Sequence, residues 1–410
     1  MSDLRLLILS QYFPPEMGAP QARLSELAEC LIDRGWSVEA LTALPNYPTG
    51  RVFPGYRSWM PVVEQVGRVR SIRVPLFAAK TGFTRRLASY LSFVASSSLF
   101  GPVFCSPPSL LLVESPPLFV GWAARLLSLR WGVPYVFNVS DLWPESAIRM
   151  GVLKRGSISA WLERFEVGCY LRSAGVTGQT QEIIESVRRR ALRIPVEVIT
   201  NGVDPLRFGR GRETQAAREL LGAAPGPIFI YAGLLGWAQG LGQVLDLARV
   251  LPPQVPGRFV LVGDGPEREL IERRIRAENL ERVTLLRAQP RQSIPSLLAA
   301  SDAAVITLGM RLPGAVPSKI YEAMASQLPI LLVAEGEAAQ RIERANCGIA
   351  VTPGDAVGLG KAFERLATQP ELRARLGAAG RRAAEGEYDR RVIADRLDRF
   401  LRRCLGHKSP

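Results

Sequence analysis

Short apolar runs alternate with segments of helical periodicity along most of this chain, and the alternation begins twice. Leu4 to Ser10 is an apolar run and Gln11 to Pro20 a loop. Ala22 to Arg34 then carries Leu24, Leu27, Ala28, Leu31 and Ile32 on one helical face. Gly35 stops that helix, Ser37 to Thr42 reads as a second strand, and a helix at Leu118 to Arg130 leads into a strand at Val133 to Val139. Strands separated by helices pair in parallel, because a parallel neighbour is reached only through a crossover. At Pro227 the pattern restarts. Strands at Ile228 to Tyr231, Arg258 to Val262, Val283 to Leu286, Ala303 to Thr307 and Pro329 to Val333 are separated by helices at Leu241 to Val250, Glu267 to Glu278, Ile294 to Ala300 and Ser318 to Ser326. The expected fold is α/β, with two doubly wound domains, and 410 residues suffice for two or three. The boundaries are set at 1–205, 206–388 and 389–410, the last containing a helix from Val392 to Cys404 expected to pack back on the first domain. Open α/β sheets bind ligands outside the carboxyl ends of their strands, so the site is expected in a central cleft there, touching both halves.

Composition narrows the chemistry. The one histidine, His407, lies at the C-terminal end, which argues against a Ser-His pair, a histidine base or a histidine-held metal. Cys30, Cys105, Cys169, Cys347 and Cys404 are scattered without paired spacing, as expected for a reducing compartment and no zinc site. The N-terminus lacks the features of a secretory signal, so a cytoplasmic location is expected. The net charge of +14 favours an anionic partner, and residues 51–90 hold eight basic residues against Glu64 alone. In that segment Arg68, Arg70, Arg73, Lys80, Arg85 and Arg86 are interleaved with aromatic residues, a mixture suited to an anionic membrane surface; a solvated, arginine-rich face is the blander alternative. Leu87 to Val113 is uncharged but broken by serine, glycine and proline, and reads as a helix, a proline-rich turn and a strand at Leu110 to Val113 rather than a membrane span.

Several loops could carry chemistry. Arg311 to Glu322, RLPGAVPSKIYE, follows a strand and opens a helix that Ser318 can cap, with Lys319 beside a start that favours phosphate. A plain helix start with surface charges fits the same residues. Gly18 sits where a backbone could approach a ligand, although an ordinary βα loop also explains it. Gly263-Asp264-Gly265 lacks dinucleotide-fingerprint spacing and reads as a tight turn, and no phosphate-loop Gly-Lys-Ser signature occurs. Asp141 and Glu145 follow a strand in SDLWPES and either face the cleft or cap the next segment.

In order, SQYFPPEMGAPQARLSELAECL, ALTALPNYPTG, SPPLFVGWAARLL, SDLWPES, ITNGVDPLRF, YAGLLGWAQGL, LVGDGPERE and VPSKIYEAMASQLPILL resemble a family 4 (group 1) retaining glycosyltransferase of the GT-B fold. They are most similar to the WbuB-like branch of bacterial O-antigen, capsule and colanic-acid biosynthesis. The resemblance implies a Rossmann-like acceptor-binding first domain and a Rossmann-like nucleotide-sugar-binding second domain, with no metal or other cofactor. It implies a UDP-sugar donor, an N-acetylated hexosamine or deoxyhexosamine as the transferred sugar, and a lipid-linked or polysaccharide acceptor at the inner membrane face. Carried over by position, Glu322 is expected on the donor ribose, Gly18 near the donor diphosphate, and Gly263 with Gly265 along the nucleotide pocket. Three departures from the family fall on four positions: its first glutamate falls on Gly314, its diphosphate Arg and Lys on Leu234 and Gln239, and its histidine on Ser140. Lys319, the Ser318 helix start and backbone N–H groups near Gly18 and Gly236 are expected to replace the missing cations, and Asp141 or Glu145 to contact the acceptor hydroxyl. The alternatives are a UDP-sugar 2-epimerase of the same architecture, disfavoured by the single histidine, and a non-catalytic basic relative that binds membrane or nucleic acid. No nucleic-acid-binding motif is present.

Overall fold

The apolar runs become strands buried on both faces: Leu6, Leu7, Ile8 and Leu9 of the first are each almost fully enclosed, as a parallel sheet covered by helices on either side requires. The computed structural model describes residues 4–79, 82–222, 226–311 and 313–406. Lys80 and His407 lie outside the described residues. The chain divides into two units, Met1–Asn201 with Arg390–Pro410, and Gly202–Asp389.

The first unit runs β1 (Leu4–Leu9), α1 (Ala19–Ile32), β2 (Trp36–Ala43), β3 (Val62–Val66), β4 (Val69–Val74), α2 (Phe83–Phe104), β5 (Leu110–Ser115), α3 (Val120–Trp131), β6 (Tyr135–Val139), α4 (Glu145–Arg149), α5 (Ser157–Leu171), β7 (Gly175–Gly178), α6 (Gln181–Arg190) and β8 (Val196–Val198). Its sheet has the order β3-β4-β2-β1-β5-β6-β7-β8. All pairs are parallel except β3 with β4. The second unit runs α7 (Gln215–Leu221), β9 (Ile228–Ala232), α8 (Gly242–Val250), β10 (Arg258–Val262), α9 (Arg268–Ala277), β11 (Val283–Leu286), α10 (Ile294–Ala299), β12 (Ala303–Thr307), α11 (Lys319–Ala325), β13 (Ile330–Val333), α12 (Glu337–Ala345), β14 (Gly348–Val351), α13 (Ala356–Thr368) and α14 (Pro370–Gly386). Its six strands are all parallel, in the order β11-β10-β9-β12-β13-β14.

Strand order reverses once in each sheet. β1 has β2 on one side and β5 on the other; β9 has β10 on one side and β12 on the other. The loops leaving these central strands therefore diverge to opposite sides and open a crevice at the carboxyl edge, the place where sheets of this kind hold ligands.

The basic segment is largely structural, which corrects the membrane-surface expectation for three of its arginines. β3 and β4 form an antiparallel hairpin at the sheet edge, turning at Gly67 with φ of 60°. Arg68 pairs with Glu29 at 2.6 Å and Asp33 at 2.8 Å, and Arg70 with Glu39 at 2.6 Å. Arg73 is fully buried and donates to Glu64 and to the Pro14 carbonyl. Arg85 and Arg86 remain exposed at the start of α2.

The last helix, α15 (Arg390–Gly406), belongs to the first unit and packs along α1. Arg390 pairs with Glu26 at 2.9 Å, Arg34 with Asp395 at 2.7 Å, and the Trp36 indole donates to Asp398 at 2.6 Å. Phe400 and Cys404 fill the space above Gly175, where a Cβ would meet the Phe400 ring at 2.7 Å and the Cys404 sulfur at 2.8 Å. Phe400→Ala is expected to cost the first unit about 3–5 kcal/mol in denaturant unfolding. Leu192→Ala, at an exposed position, should stay within about 0.5 kcal/mol of the wild type. Equal unfolding midpoints for the wild type and Phe400→Ala would contradict this packing.

Candidate functional site

At the reversal of the first sheet, the β1 loop is held by a buried carboxylate. Glu16 accepts from the backbone N–H groups of Asn46 and Tyr47, each at 2.7 Å, and from that of Phe13 at 3.3 Å. Burial raises its carboxyl above the usual range, and these three donors oppose the rise. Gly18 precedes α1 in an extended conformation open to any residue, but a Cβ there would meet the Gln21 amide oxygen at 2.3 Å. A side chain at this position would displace the Gln21 amide.

Across the reversal, β5 carries Glu114 next to its last residue, and this carboxylate shares a buried network with three elements. Arg23 of α1 donates to Glu114 at 2.6 Å and to the Ser140 hydroxyl at 3.0 Å. Asn138 donates to Glu114 at 2.7 Å and accepts from Thr177 at 2.7 Å, and Ser140 itself donates to Glu114. Ser140, at the family's histidine position, is thus committed to the ion pair beneath the loops. Among the described residues, Gln11 Oε1, Gln21 Oε1 and Arg23 Nε are buried here without a hydrogen-bond partner. Sequence reading missed Arg23 and Glu114; the signal available was a glutamate directly after the apolar run Leu110 to Val113.

Asp141 and Glu145 do not form a pair. Asp141 accepts from the Ser146 hydroxyl at 2.9 Å, and burial pushes its carboxyl above the ordinary value. Glu145 is tied to Arg149 at 2.9 Å and Arg190 at 3.3 Å, and it lines a cleft with Arg155, Glu163 and Arg164. Its charge is matched within α4 and by α6, so Glu145 stands apart from Asp141 in its own ion-pair cluster.

At the reversal of the second sheet, glycines let three loops touch backbone to backbone. A Cβ on Gly263 would lie 1.9 Å from the Gly233 carbonyl oxygen, and one on Gly265 2.3 Å from that of Leu235. Gly240 has φ of 60°, and a Cβ on it would meet the Gly309 Cα at 2.5 Å. Gly236 begins a single 3-10 turn, Trp237–Gln239, inside the same loop. Arg268 ties the edge further, donating to the carbonyls of Gly263 at 2.7 Å and Leu286 at 2.9 Å.

Lys319 reaches into this crevice. Its stem runs along Gly233, where a Cβ would fall 2.2 Å from the lysine Cε. Its ammonium lies 4.7 Å from the Tyr231 ring centroid and donates to the Tyr231 hydroxyl at 3.2 Å, while that hydroxyl donates to the Leu234 carbonyl. Among the described residues no carboxylate pairs with it. Withdrawal from water lowers its pKa to about 8, and Glu322 opposes the shift. Tyr231 and Gly233 went unremarked in the sequence, although both stand in YAGLLG beside the expected contact.

Ser318 precedes α11 but does not cap it, a second correction. Its φ of −61° and ψ of −23° are helical, so its hydroxyl makes none of the N–H contacts that a cap makes from extended backbone. Gly314 has φ of 71°, so a glutamate would be strained in this loop. Leu234 is exposed, and the Gln239 amide oxygen is buried without a hydrogen-bond partner. The structure thus brings Gly236, Gly263, Gly265, Lys319 and Glu322 to one unit, while Gly18 and Asp141 lie in the other.

Comparison with known proteins agrees with this architecture. Residues 214–383 match the model for glycosyl transferases group 1, and residues 18–202 that for a glycosyl transferase 4-like domain. The α-D-kanosaminyltransferase of Streptomyces kanamyceticus is 28% identical over 283 residues, covering 66% of this chain and 71% of that protein. The 2-deoxystreptamine N-acetyl-D-glucosaminyltransferase of Streptomyces fradiae is 25% identical, covering 96% of this chain and 92% of its own. Among solved structures, sucrose-phosphate synthase from Thermosynechococcus elongatus superimposes with a TM-score of 0.78 at 18% identity, covering 98% of this chain and 99% of the other. Anabaena HepE in complex with UDP and glucose gives 0.72 at 19%, covering 97% and 99%. These are two-domain GT-B folds, and the two family models together take in most of this chain, which belongs to the group 1 glycosyl transferases and is a glycosyltransferase.

Proposed function

We propose that the enzyme moves a sugar from a UDP-sugar to a lipid-linked saccharide with retention at the anomeric carbon, in the assembly of a bacterial surface polysaccharide. The observation that carries the donor assignment is the Lys319 ammonium, which has only a phenol as its hydrogen-bond partner among the described residues and stands at the reversal of the second sheet. A departing nucleoside diphosphate gains negative charge as the sugar bond breaks, and a cation already stripped of water stabilises that charge with little reorganisation. Lys319 would take the part that the family gives to the residues falling on Leu234 and Gln239, and no metal is needed for it. Glu322, on the next turn of α11, would hold the ribose, and the glycine-joined loops would accommodate the nucleotide. HepE, whose solved complexes hold UDP and UDP-glucose, supports a uridine nucleotide.

The acceptor would meet the first sheet. Gln11, Gln21 and Arg23 offer buried polar atoms with unused hydrogen-bonding capacity, which suits a polyhydroxylated ligand. Asp141 would accept the proton of the attacking hydroxyl, its raised pKa placing it nearer the working range of a general base. An N-acetylated hexosamine is the sugar favoured by the resemblance, and the Streptomyces fradiae relative is named for transferring one. A lipopolysaccharide core glycosyltransferase of Rhizobium meliloti, 28% identical over 58% of this chain and 66% of its own, supports a cell-surface product. The enzyme would work at the cytoplasmic face of the inner membrane.

Calorimetric titration tests the donor site. UDP is expected to bind in preference to GDP, with affinity reduced about tenfold in Glu322→Ala, the scale of one lost hydrogen bond to a charged group. Lys319 is charged below its pKa of about 8. UDP affinity should therefore hold at lower pH and fall as pH rises through that value, approaching about tenfold per unit. Lys319→Met should bind weakly at every pH. Absence of nucleotide binding by the folded wild type would contradict the reading and favour a non-catalytic relative. Asp141→Asn is expected to lower kcat about a hundredfold or more while leaving UDP affinity unchanged; undiminished turnover would remove Asp141 from the reaction.

A further inference from the structure

Arg68, Arg70 and Arg73 are consumed by the β3–β4 hairpin, but Arg85 and Arg86 stand at one end of a face of the first unit that has the composition of a lipid-binding surface. α2 is long and apolar enough by length and composition to cross a bilayer, and one side of it packs on the sheet. Phe93 and Val94 lie in the core, and a Cβ on Gly101 would meet Leu41 at 3.0 Å and Leu127 of α3 at 3.1 Å, so the helix is pressed onto the sheet and its neighbour. Its opposite side carries Leu91, Leu99 and Val103, the last two 67% and 75% exposed. α3 adds Trp122, Leu126 and Leu129, the two leucines 54% and 66% exposed. A water-facing stripe of this kind on two touching helices is unusual, because such positions are ordinarily polar.

Charge decides what covers it. From Phe83 to Phe104 and from Val120 to Trp131 the two helices contain no aspartate or glutamate. They contain four arginines: Arg85 and Arg86 at the start of α2, and Arg125 and Arg130 on α3. None of the four pairs with a carboxylate among the described residues. A second copy docking through the same face would bring arginine onto arginine. A bilayer with anionic headgroups satisfies both features, taking the leucines and Trp122 at the acyl boundary and the guanidinium groups among phosphates.

We propose that α2 and α3 form the membrane-docking face of this enzyme, lying in the plane of an anionic leaflet with Leu99 and Leu126 inserted. The purpose of this face rests on the lipid-linked acceptor proposed above. Its position suits that purpose: Arg86 donates to the Tyr90 hydroxyl at 3.0 Å, and both act electrostatically on Tyr12 of the β1 loop. The end of the docking helix thus stands beside the loop assigned to the acceptor, and a headgroup held at the face would present its saccharide there.

Vesicle co-sedimentation tests the docking independently of catalysis. With vesicles of equal parts phosphatidylglycerol and phosphatidylcholine, the wild type should sediment. The Leu99→Glu/Leu126→Glu double variant should lose about tenfold or more in partitioning, since both anchors are replaced by charge. Arg125→Gln/Arg130→Gln should weaken binding to the anionic vesicles, and Leu192→Glu, at an exposed leucine outside the face, should change nothing. UDP titration of the same samples reads the second unit, so loss of docking and failure of the donor assignment give separate signals. Wild-type protein that stays in the supernatant with these vesicles, or a double variant that sediments equally well, overturns the proposal. A double variant that sediments normally but turns a wild-type dimer into a monomer overturns it in favour of a second copy.

Discussion

Parallel pairing of strands that are apolar on both faces is the constraint on which the rest of this molecule depends. A strand such as β1 or β5 must be covered above and below, so each connection becomes a helix crossing over the sheet. Strands can be added on either side of the starting strand, and where the direction of addition changes, two loops part. Both sheets contain that change once, at β1/β5 and at β9/β12. Each unit thereby acquires a crevice at the carboxyl edge before any functional residue is considered.

The two crevices are furnished by opposite devices. In the first, polar groups are locked: Glu16 fixes the β1 loop through three backbone N–H groups, and the Arg23–Glu114 pair is enclosed with Asn138 and Ser140. A buried pair of this kind specifies geometry more than it adds stability, because desolvation offsets much of its attraction. In the second, side chains are absent where loops meet, and the glycines at 233, 240, 263, 265 and 309 bring backbones together. The space they leave admits the stem of Lys319, so the cation is positioned by what its neighbours lack. Polar side chains thus furnish the first crevice, and exposed backbone with one buried cation furnishes the second.

The regular architecture was legible in the sequence because strand and helix periodicities are local. β10, β11 and β12 have the limits read from their apolar runs, since each is a short apolar run between clear helical segments. The hairpin in the basic segment was not legible. Its arginines look like a surface when read alone, and their partners Glu29 and Glu39 lie 39 and 31 residues away. Lys319 could be named from its place after a strand, but the Tyr231 hydroxyl that it contacts is 88 residues distant. Arg23 and Glu114, 91 residues apart, carry no signal as a pair until the sheet brings them together. Ser318 shows the converse case, a residue type that suits a cap in a backbone conformation that does not.

A crystal structure of the enzyme with bound UDP tests the central claim most directly, because it locates the diphosphate rather than inferring it from affinity. The account predicts the diphosphate at the β9/β12 reversal, with a phosphate oxygen accepting from Lys319 Nζ and the ribose hydroxyls at Glu322. Diphosphate density elsewhere, with Lys319 still on the Tyr231 hydroxyl and clear of the ligand, would contradict it.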